Sequence, residues 1–292
     1  MLDTAASSLD KKTPIDVLVT LLVWDAHLAV ARLLDSLAGC MAQSAQWRLF
    51  ILDQGSAAPA AGLLKDFSQR QKGRVALARV EQNIGYPAGH NLLHRLACQH
   101  FAPRHLVTIN SDLVFHDPRW LDGLVDFMDA HPLFGIAGPT GVIYQREPFE
   151  RLGWCRVATT EELQSGQFDG ISGSVCIMRQ SMLDEIGLFD ESFTPGYYED
   201  TDLTFRARAC GWQVAACPVD HAHQQLGPEN STSFIKREQL AAKYGNFQKR
   251  NRNLFVERWL VPEILSIDGL HARSLFPRVY YPTTAGNLDY AI

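Results

Sequence analysis

Three carboxylates, Glu199, Asp200 and Asp202, stand at the start of a segment whose apolar residues recur with helical spacing. The helix dipole favours carboxylates in a first helical turn, so a well-capped surface helix is the simplest interpretation of this cluster. However, an aromatic-rich loop that includes Tyr197 and Tyr198 precedes it, and a second acidic turn lies far upstream. If the fold brings the two acidic turns together, one could hold a metal ion while the other takes up a proton.

The upstream turn, Asn110-Ser111-Asp112, directly follows a strand-like run. Magnesium and manganese bind one or two carboxylates together with substrate phosphates, and this turn offers suitable oxygen atoms. A single aspartate in a turn is more often structural, but its position after a buried strand favours a functional role. His221 and His223 occupy alternate positions in another predicted strand and so share a face. They could bind a metal ion or a diphosphate, or they could be packed or solvated histidines.

A strand-to-helix connection at residues 82–91 carries Gly85 and Gly89. Glycines let backbone amides approach a phosphate or a ribose, and the start of a helix favours anions. A simple turn with a glycine that packs against a neighbouring element explains the pattern equally well. The connection is not a Walker loop, because the Gly-Lys-Ser/Thr that such a loop requires is absent.

The elements that must position these turns alternate between strand-like and helix-like patterns over the first half of the chain. Strand-like runs cover residues 15–24, 47–52, 74–80, 105–109 and 134–142, and helix-like runs cover residues 28–37, 60–71, 87–98 and 118–129. This order predicts a mostly parallel sheet with helices on both faces. Asp53, Asn83 and Asp112 each follow a predicted strand, at the sheet edge where open α/β folds bind ligands.

The second half of the chain is less regular. Residues 143–170 are predicted to form a long loop over one face, and loops of this length often act as lids or binding loops. A short helix is expected at residues 181–186 and a strand at residues 213–218, before a mostly helical segment at 233–264 and an irregular tail. The helical segment is rich in basic residues, which are either a solvated face or a contact for phosphates or an anionic membrane. These residues are Lys236, Arg237, Lys243, Lys249, Arg250, Arg252 and Arg258.

The composition sets limits on function. The 292 residues are 46% hydrophobic and 20% charged, which allows one large α/β domain or two smaller ones. A net charge of -5 argues against a nucleic-acid partner. The apolar run at residues 17–24 is shorter than the roughly 20 residues of a spanning helix, and residues 1–12 lack an apolar signal core. The six cysteines have no Cys-x-x-Cys spacing, so neither a zinc knuckle nor a redox motif is indicated and a reducing cytoplasm is expected.

The order of the motifs resembles that of a known family. The motifs are Asp-x-Gly-Ser at 53–56, Asn-x-Gly-x-x-x-Gly-x-Asn at 83–91, Asn-Ser-Asp at 110–112, Gly-Ser-x-x-x-x-Arg at 173–179, Gly-x-Phe-Asp-Glu at 187–191 and Glu-Asp-x-Asp-Leu at 199–203. Over residues 15–260 the chain is similar to the family 2 glycosyltransferases, which have the GT-A fold. It most resembles the bacterial rhamnosyltransferase-like branch that builds surface polysaccharides such as lipopolysaccharide.

The resemblance implies a role for each matched position. Asp200 matches the catalytic base of the Glu-Asp motif, Glu199 is its catalytic neighbour, and Asp112 matches a metal-binding carboxylate. The histidine pair resembles a histidine that assists the metal or the diphosphate, and His223 is favoured over His221 because it lies nearer the loop at Gly227.

Asp53 corresponds to a residue that hydrogen-bonds the pyrimidine base. The other implied nucleotide-binding residues are Asn83, Gly85, Asn91, Asn110 and Ser111. The implied contacts to the donor or acceptor sugar are Gly173, Tyr197, Tyr198 and Asp202.

Two positions depart from the family pattern. Asn110 replaces the first aspartate of the metal motif, and residues 24–27 read Trp-Asp-Ala-His where the family often has Tyr-Asn. One further feature agrees with the family pattern: the family's histidine is often followed by a glycine and a serine, which correspond to Gly227 and Ser231 in this sequence.

The resemblance therefore implies an inverting glycosyltransferase that uses Mn²⁺ or Mg²⁺. It would move a sugar from a UDP- or dTDP-linked donor to a glycan or lipid-linked acceptor. The expected organisation is a flexible N-terminus at residues 1–13, a GT-A nucleotide-sugar-binding and catalytic domain at 14–232, and a C-terminal helical extension at 233–292. A cytoplasmic location is expected, with contact between the basic helices and the inner face of the membrane and a homodimer left open.

Two other classes are alternatives to this reading. A sugar-nucleotide pyrophosphorylase would carry a Gly-rich loop with Arg or Lys after the first strand, which residues 24–27 do not supply. A non-catalytic carbohydrate-binding protein could keep the fold but would not need Glu199 and Asp200.

Overall fold

A computed structural model of the chain describes residues 12–41, 47–224, 234–261 and 290–291. The strands are β1 (Thr13–Val23), β2 (Trp47–Gln54), β3 (Val75–Val80), β4 (Phe101–Ile109), β5 (Leu113–Phe115), β6 (Phe134–Gly138), β7 (Gly141–Tyr144), β8 (Cys155–Val157), β9 (Gly170–Ile171), β10 (Val175–Arg179), β11 (Gln213–Ala216), β12 (His221–His223) and β13 (Tyr290–Ala291). The α-helices are α1 (His27–Met41), α2 (Ala58–Arg70), α3 (Tyr86–His100), α4 (Trp120–Ala130), α5 (Thr160–Gln164), α6 (Gln180–Ile186), α7 (Glu199–Ala209), α8 (Phe234–Tyr244) and α9 (Phe247–Phe255), and a π-helical turn at Val256–Leu260 continues α9.

The central sheet has the strand order β11-β6-β10-β4-β1-β2-β3-β13. Strands β3, β2, β1 and β4 are parallel neighbours, whereas β10 runs antiparallel between β4 and β6. The near-continuous apolar run of β1 is explained by its central place, because Val17, Leu18 and Val19 are fully buried. The predicted mostly parallel sheet flanked by helices is therefore confirmed.

Helices cover both faces of this sheet and create two apolar cores. On one face, α1 and α4 bury leucines such as Leu33 and Leu124 against the odd-numbered residues of β1. On the other, α3 contributes Leu93, and α7 contributes Leu203. The first turn of α7, which carries the three carboxylates, is thus held firmly against the sheet.

The structure corrects the prediction of one strand at residues 134–142 and a loop at 143–170. The strand divides into β6 and β7 around Pro139, because a proline cannot donate to the ladder of a central strand. β7 then forms a second sheet with β8 and β9, in the order β8-β7-β9. These strands have two to four residues each, too few for a clear alternating pattern.

The helical segment after residue 233 is present in the part that the structure describes. Phe255, Trp259 and Leu260 from its end pack with Tyr144 and Phe193 in a third apolar cluster. Residues before and after the predicted domain boundary at 232/233 therefore pack in one apolar cluster. The boundary itself stays a prediction. Gly227, Ser231 and the predicted irregular tail fall outside the described residues. Within the described part of the chain, no helix has both the length and the apolar character that crossing a bilayer requires.

Candidate active site

A cavity of about 470 Å³ lies at the carboxyl ends of the central strands. Leu22 is the last residue but one of β1 and Gln54 is the last residue of β2, while the turn at residues 110–112 follows β4. The loop at 195–198 and the first turn of α7 close one side, and β7 and β8 supply Tyr144 and Cys155. The fold therefore brings the two acidic turns of the sequence into one cavity, as predicted.

The charges in this cavity are all acidic. Among the described residues that line it, Asp112, Glu199 and Asp200 carry carboxyl groups, and none is a lysine or an arginine. His90 also lines the cavity, but burial lowers its pKa to about 3, so it is neutral. These carboxyl groups disfavour an anionic ligand such as a diphosphate, and a bound cation would offset that repulsion.

Asp200 is half-buried and accepts hydrogen bonds on both carboxylate oxygens. The backbone amide of Gly173 donates to Oδ2 at 2.8 Å, and the amide of Thr201 donates to Oδ1 at 2.7 Å. The Thr201 hydroxyl donates a third bond to Oδ1 at 3.2 Å. Burial raises the pKa of Asp200, while these three donors oppose that shift by stabilising the carboxylate. The arrangement suits a general base, which must be ionised before it takes a proton.

Gly173 holds this carboxylate because its own position is fixed. Its carbonyl accepts from the Tyr86 hydroxyl at 2.7 Å and from the Thr108 hydroxyl at 3.1 Å. A Cβ at residue 173 would lie 2.6 Å from the Tyr86 oxygen and 3.4 Å from the Cβ of Asp200. A larger residue would crowd the side chains of Tyr86 and Asp200. Glycine at this position therefore lets the backbone amide donate to the carboxylate of Asp200.

Glu199 is the most buried carboxyl group of the cavity. It is 6% exposed, and its Oε2 atom has no hydrogen-bond partner. Burial raises the pKa of Glu199 well above its ordinary value, and the adjacent Asp200 raises it further. This environment makes Glu199 a poor candidate for an ionised base.

Asp202 does not contact the cavity, which corrects its assignment as a sugar ligand. It is fully buried and accepts bonds from the side chains of Arg206 at 2.8 Å, Arg258 at 2.7 Å and Trp259 at 2.9 Å. Side chains two residues apart on a helix point in directions about 200° apart, so Asp200 and Asp202 face opposite sides. The expected contact between Asp202 and Arg206 is confirmed.

Asp112 and His223 lie side by side at the open side of the sheet edge. The Nδ1 atom of His223 is 3.8 Å from Oδ1 of Asp112, and the carboxylate raises the pKa of this histidine. Strand β12 pairs with β5 and sets this approach, whereas the Nδ1 atom of His221 hydrogen-bonds the Val219 carbonyl. The structure thus places His223 rather than His221 beside the metal-motif carboxylate.

One carboxylate, one imidazole and the oxygens of Asn110 and Ser111 fit a divalent cation that also takes ligands from a substrate. Among the described residues, no three His, Cys, Asp or Glu side chains converge into a complete metal site. A cation would therefore bind with open positions, which phosphate oxygens could fill.

The predicted nucleotide-binding residues divide between the cavity and the core. Asn83 lines the cavity, as do Asn110 and Ser111. Asn91 is fully buried, because its amide exchanges hydrogen bonds with the backbone of Phe189, at 2.9 and 3.1 Å. Its assignment to the nucleotide is wrong.

Asp53 and Gly85 also act within the protein rather than on the cavity surface. Asp53 is 2% exposed, forms an ion pair with Arg79 and accepts from the amide of Ser56. Gly85 has φ of 92°, and a Cβ there would lie 2.8 Å from the Cα of Pro195. Its absent side chain lets the loop before α7 approach closely, which is a structural reason for glycine.

The loop at 195–198 has an unusual backbone. Tyr197 and Tyr198 have φ of 74° and 75°, in the left-handed region that side chains other than glycine disfavour. Asn251 of α9 holds the loop by donating to the carbonyls of Phe193 and Gly196. Both tyrosines line the cavity beside the carboxylates. Strained residues of this kind cluster at ligand-binding sites.

Several lining residues were not identified from the sequence. Trp24 and Gln54 line the cavity near Asn83, and Tyr144 hydrogen-bonds the Thr201 hydroxyl at 2.8 Å. Gln54 follows a predicted strand and could have been found by the same argument as Asp53. Tyr144 carried no such signal, because the predicted strand ended at residue 142.

Comparison with known proteins gives one family. The sequence profile described as "Glycosyltransferase like family 2" matches residues 17–246 of the chain. Comparison with curated proteins gives no significant match.

Solved structures that share the fold include a mannosyltransferase and TarS. The mannosyltransferase PcManGT from Pyrobaculum calidifontis, in complex with GDP-Man and Mn²⁺, superposes with a TM-score of 0.54 at 12% identity, covering 89% of this chain and 77% of that one. TarS 1-349 from S. aureus, in complex with UDP-GlcNAc, gives a TM-score of 0.59 at 15% identity, covering 88% of this chain and 69% of that one. Both neighbours have the GT-A fold, so the fold class predicted from the sequence is confirmed.

Proposed function

The chain belongs to the glycosyltransferase-like family 2, and from this premise we propose that it is an inverting transferase of nucleotide-linked sugars. The donor would be a UDP- or dTDP-sugar, and the acceptor a hydroxyl group of a glycan or lipid-linked molecule. The observation that carries the proposal is the half-buried carboxylate of Asp200, held by three hydrogen bonds at the wall of a cavity that also contains Asp112.

In the proposed reaction, Asp200 accepts the proton of the acceptor hydroxyl as its oxygen attacks the anomeric carbon. A new C–O bond forms, the bond from that carbon to the diphosphate breaks, and the nucleoside diphosphate leaves with the electron pair. One displacement from the face opposite the leaving group inverts the anomeric configuration. Gly173 and Thr201 keep Asp200 ionised and oriented through this step.

The acidic character of the cavity supports a requirement for Mn²⁺ or Mg²⁺. A bound divalent ion supplies positive charge that stabilises the leaving diphosphate. Asp112 and His223 would hold it, with Asn110 and Ser111 nearby. The bound Mn²⁺ of the mannosyltransferase neighbour is consistent with this expectation. No lysine or arginine is among the described residues that line the cavity.

Tyr197 and Tyr198 are proposed to lie against the donor or acceptor sugar. Both residues line the cavity directly before α7, and Tyr197 is 48% exposed. A role in bacterial surface polysaccharide synthesis, of the rhamnosyltransferase-like kind, agrees with a glycan or lipid-linked acceptor. The proposed cytoplasmic location rests on the scattered cysteines, which fit a reducing compartment. The proposed contact with the inner face of the membrane rests on the basic C-terminal helices, in which Lys249 is exposed. Arg258 does not serve that contact, because it pairs with Asp202.

The test begins with a thermal-shift screen of nucleotide sugars and acceptors with and without Mn²⁺. A ligand at about 100 times its dissociation constant adds about 2.7 kcal/mol of stability, which such a screen detects. Single-turnover transfer is then compared in wild type, Asp200→Asn and Asp66→Asn, an exposed carboxylate on α2. We expect Asp200→Asn to bind the donor normally and to lose about 10²–10⁴-fold in rate. A near wild-type rate in Asp200→Asn would remove this residue from the mechanism.

A further inference from the structure

The orientation of the proposed base depends on Gly173. The backbone amide of Gly173 donates to Oδ2 of Asp200 at 2.8 Å. A glycine backbone has more conformational freedom than that of any other residue, so this donor needs to be fixed by its surroundings. A stiffer residue is disfavoured at this position, because a Cβ would lie 2.6 Å from the hydroxyl oxygen of Tyr86 and 3.4 Å from the Cβ of Asp200.

The Tyr86 hydroxyl makes the shorter of two side-chain hydrogen bonds to Gly173. It donates to the Gly173 carbonyl at 2.7 Å, and the Thr108 hydroxyl donates to the same oxygen at 3.1 Å. A phenylalanine at position 86 would keep the ring contacts with His90 and Phe189, whose ring centroids lie 4.3 and 5.4 Å away. Packing therefore explains the ring of Tyr86 but not its hydroxyl.

The backbone of Tyr86 connects the same region to the donor side of the cavity. Its amide donates to the carbonyl of Pro195 at 2.7 Å, in the loop that precedes α7. Tyr86 also begins α3 directly after the turn at 83–85, whose Asn83 lines the cavity where the nucleotide is proposed to bind. One residue thus contacts the loop before the base and the glycine that orients the base, and it adjoins the nucleotide turn.

We propose that Tyr86 is a positioning residue for the base: by holding the Gly173 carbonyl, its hydroxyl fixes the amide that keeps Asp200 oriented for proton transfer. The inference rests on the proposed function, in which Asp200 takes the proton of the acceptor hydroxyl. In this role Tyr86 acts through Gly173, to which its hydroxyl is already bonded. Loss of the hydroxyl should therefore slow transfer and leave nucleotide binding unchanged.

The substitution Tyr86→Phe removes the hydroxyl and keeps the ring. With the nucleotide sugar and acceptor found in the thermal-shift screen, we expect kcat to fall about three- to tenfold, the effect of losing one buried hydrogen bond. Affinity for UDP or dTDP, measured by calorimetry with Mn²⁺, should stay within about twofold of wild type.

The matched control is Ser36→Ala. It also removes a partly buried hydroxyl that donates to a backbone carbonyl, that of Leu33 at 2.8 Å, but it lies on α1 and does not line the cavity. This variant should keep the kcat and the nucleotide affinity of wild type.

The pH dependence separates a positioning role from a general loss of stability. Burial raises the pKa of Asp200, and the Gly173 amide opposes this shift. Loosening Gly173 should therefore raise the pKa of Asp200 further and move the ascending limb of kcat to higher pH in Tyr86→Phe. The substitution removes no charge, because burial holds the pKa of Tyr86 well above its ordinary value. The other titratable groups around Asp200 stay the same, namely Glu199 on α7, Tyr144 on β7, Cys155 on β8 and Cys176 on β10.

A titration of the free protein measures the same effect without substrate. In carbon-13 NMR of the aspartate carboxyl groups, the Asp200 signal is identified by its loss in Asp200→Asn. We expect a higher pKa for Asp200 in Tyr86→Phe than in wild type or Ser36→Ala. Thr108→Val removes the longer bond to Gly173 and should raise the pKa of Asp200 by less. This second variant also tests the inference if Tyr86→Phe fails to fold.

Three results would overturn the inference. An unchanged kcat and pH limb in Tyr86→Phe would show that Asp200 is held without the hydroxyl. A loss of nucleotide affinity as large as the loss of kcat would make Tyr86 a substrate contact instead. An equal loss of kcat in Ser36→Ala would reduce the effect to a general loss of stability. A wild type that transfers no sugar would refute the proposed function, whereas the titration of Asp200 would still decide whether Tyr86 controls this carboxyl.

Discussion

Replacing Asp202 by asparagine should destabilise the whole protein rather than impair catalysis alone. The Asp202 carboxylate is fully buried and is the shared acceptor for Arg206, Arg258 and Trp259. The Arg206 side chain is 3% exposed, so water cannot replace its counter-charge. Asparagine keeps the shape but removes the charge, and its amide nitrogen would face groups that are themselves donors.

The magnitude follows from this burial. Removing one partner of a buried ion pair costs about 3–5 kcal/mol, because the other charge is left uncompensated. Arg206 keeps bonds to the carbonyls of Ile186 and Gly187, which places the expected value near the lower end. For a chain of this size each kcal/mol lowers Tm by about 2–4 °C, so a fall of roughly 6–12 °C is expected at 3 kcal/mol.

The assay is thermal and urea unfolding followed by circular dichroism, with Arg156→Ala as the matched control. Arg156 also forms an ion pair, with Glu162, but both side chains are on the surface. Exposed pairs contribute little to stability, so this control should unfold as wild type does. A Tm for Asp202→Asn that equals the Tm of wild type would refute the argument that the buried carboxylate organises this part of the molecule.

Four further substitutions test other parts of the site. Asp112→Ala should weaken Mn²⁺-dependent binding of UDP or dTDP in calorimetry and leave Tm unchanged; equal affinity with Mn²⁺ in mutant and wild type would exclude a metal role. His223→Ala should produce a smaller loss of the same kind, and an unchanged manganese dependence would exclude this histidine. The protein is expected to prefer pyrimidine nucleotides, with Asp53→Ala reducing the preference by releasing its arginine partner, and tighter binding of GDP than of UDP and dTDP would contradict this. Gly173→Ala should slow transfer while preserving nucleotide binding, because the added Cβ would lie 2.6 Å from a buried tyrosine hydroxyl; an unchanged transfer rate would contradict that role.

The sheet could be predicted from the sequence because its strands are long and buried on both faces. A run such as β1 needs apolar residues at successive positions, and this leaves a clear pattern. The same argument placed Asp112 at the carboxyl edge, where the structure has it. The short strands β8 and β9 escaped prediction, and β7 was predicted only as the end of a longer strand, because their residues are too few to reveal a period.

Residue types alone could not separate the cavity from the core. Asn91 is of a residue type that often binds ligands, but its side-chain amide donates to the carbonyl of Phe189, 98 positions away in the sequence. Asp53 and Gln54 are neighbours at the end of one strand, and the alternation of faces decides which one meets the cavity. Asp200 and Asp202 are divided in the same way by a helix. Which of two nearby polar side chains faces the cavity depends on how the strands and helices pack, and a local sequence pattern does not specify that packing.

The contact between α9 and the loop at 195–198 has a consequence for the order of events during synthesis. Asn251 donates a hydrogen bond to the loop. Arg258 and Trp259 donate to the carboxylate of Asp202, which lies two residues after Asp200 in the sequence. All three donors lie beyond residue 246, where the match to the family profile ends. A nascent chain can therefore build the sheet early, since domains fold as their residues emerge from the ribosome. The loop at 195–198 cannot make these contacts until α9 and its π-helical continuation have been translated, so this side of the cavity is completed after most of the described core.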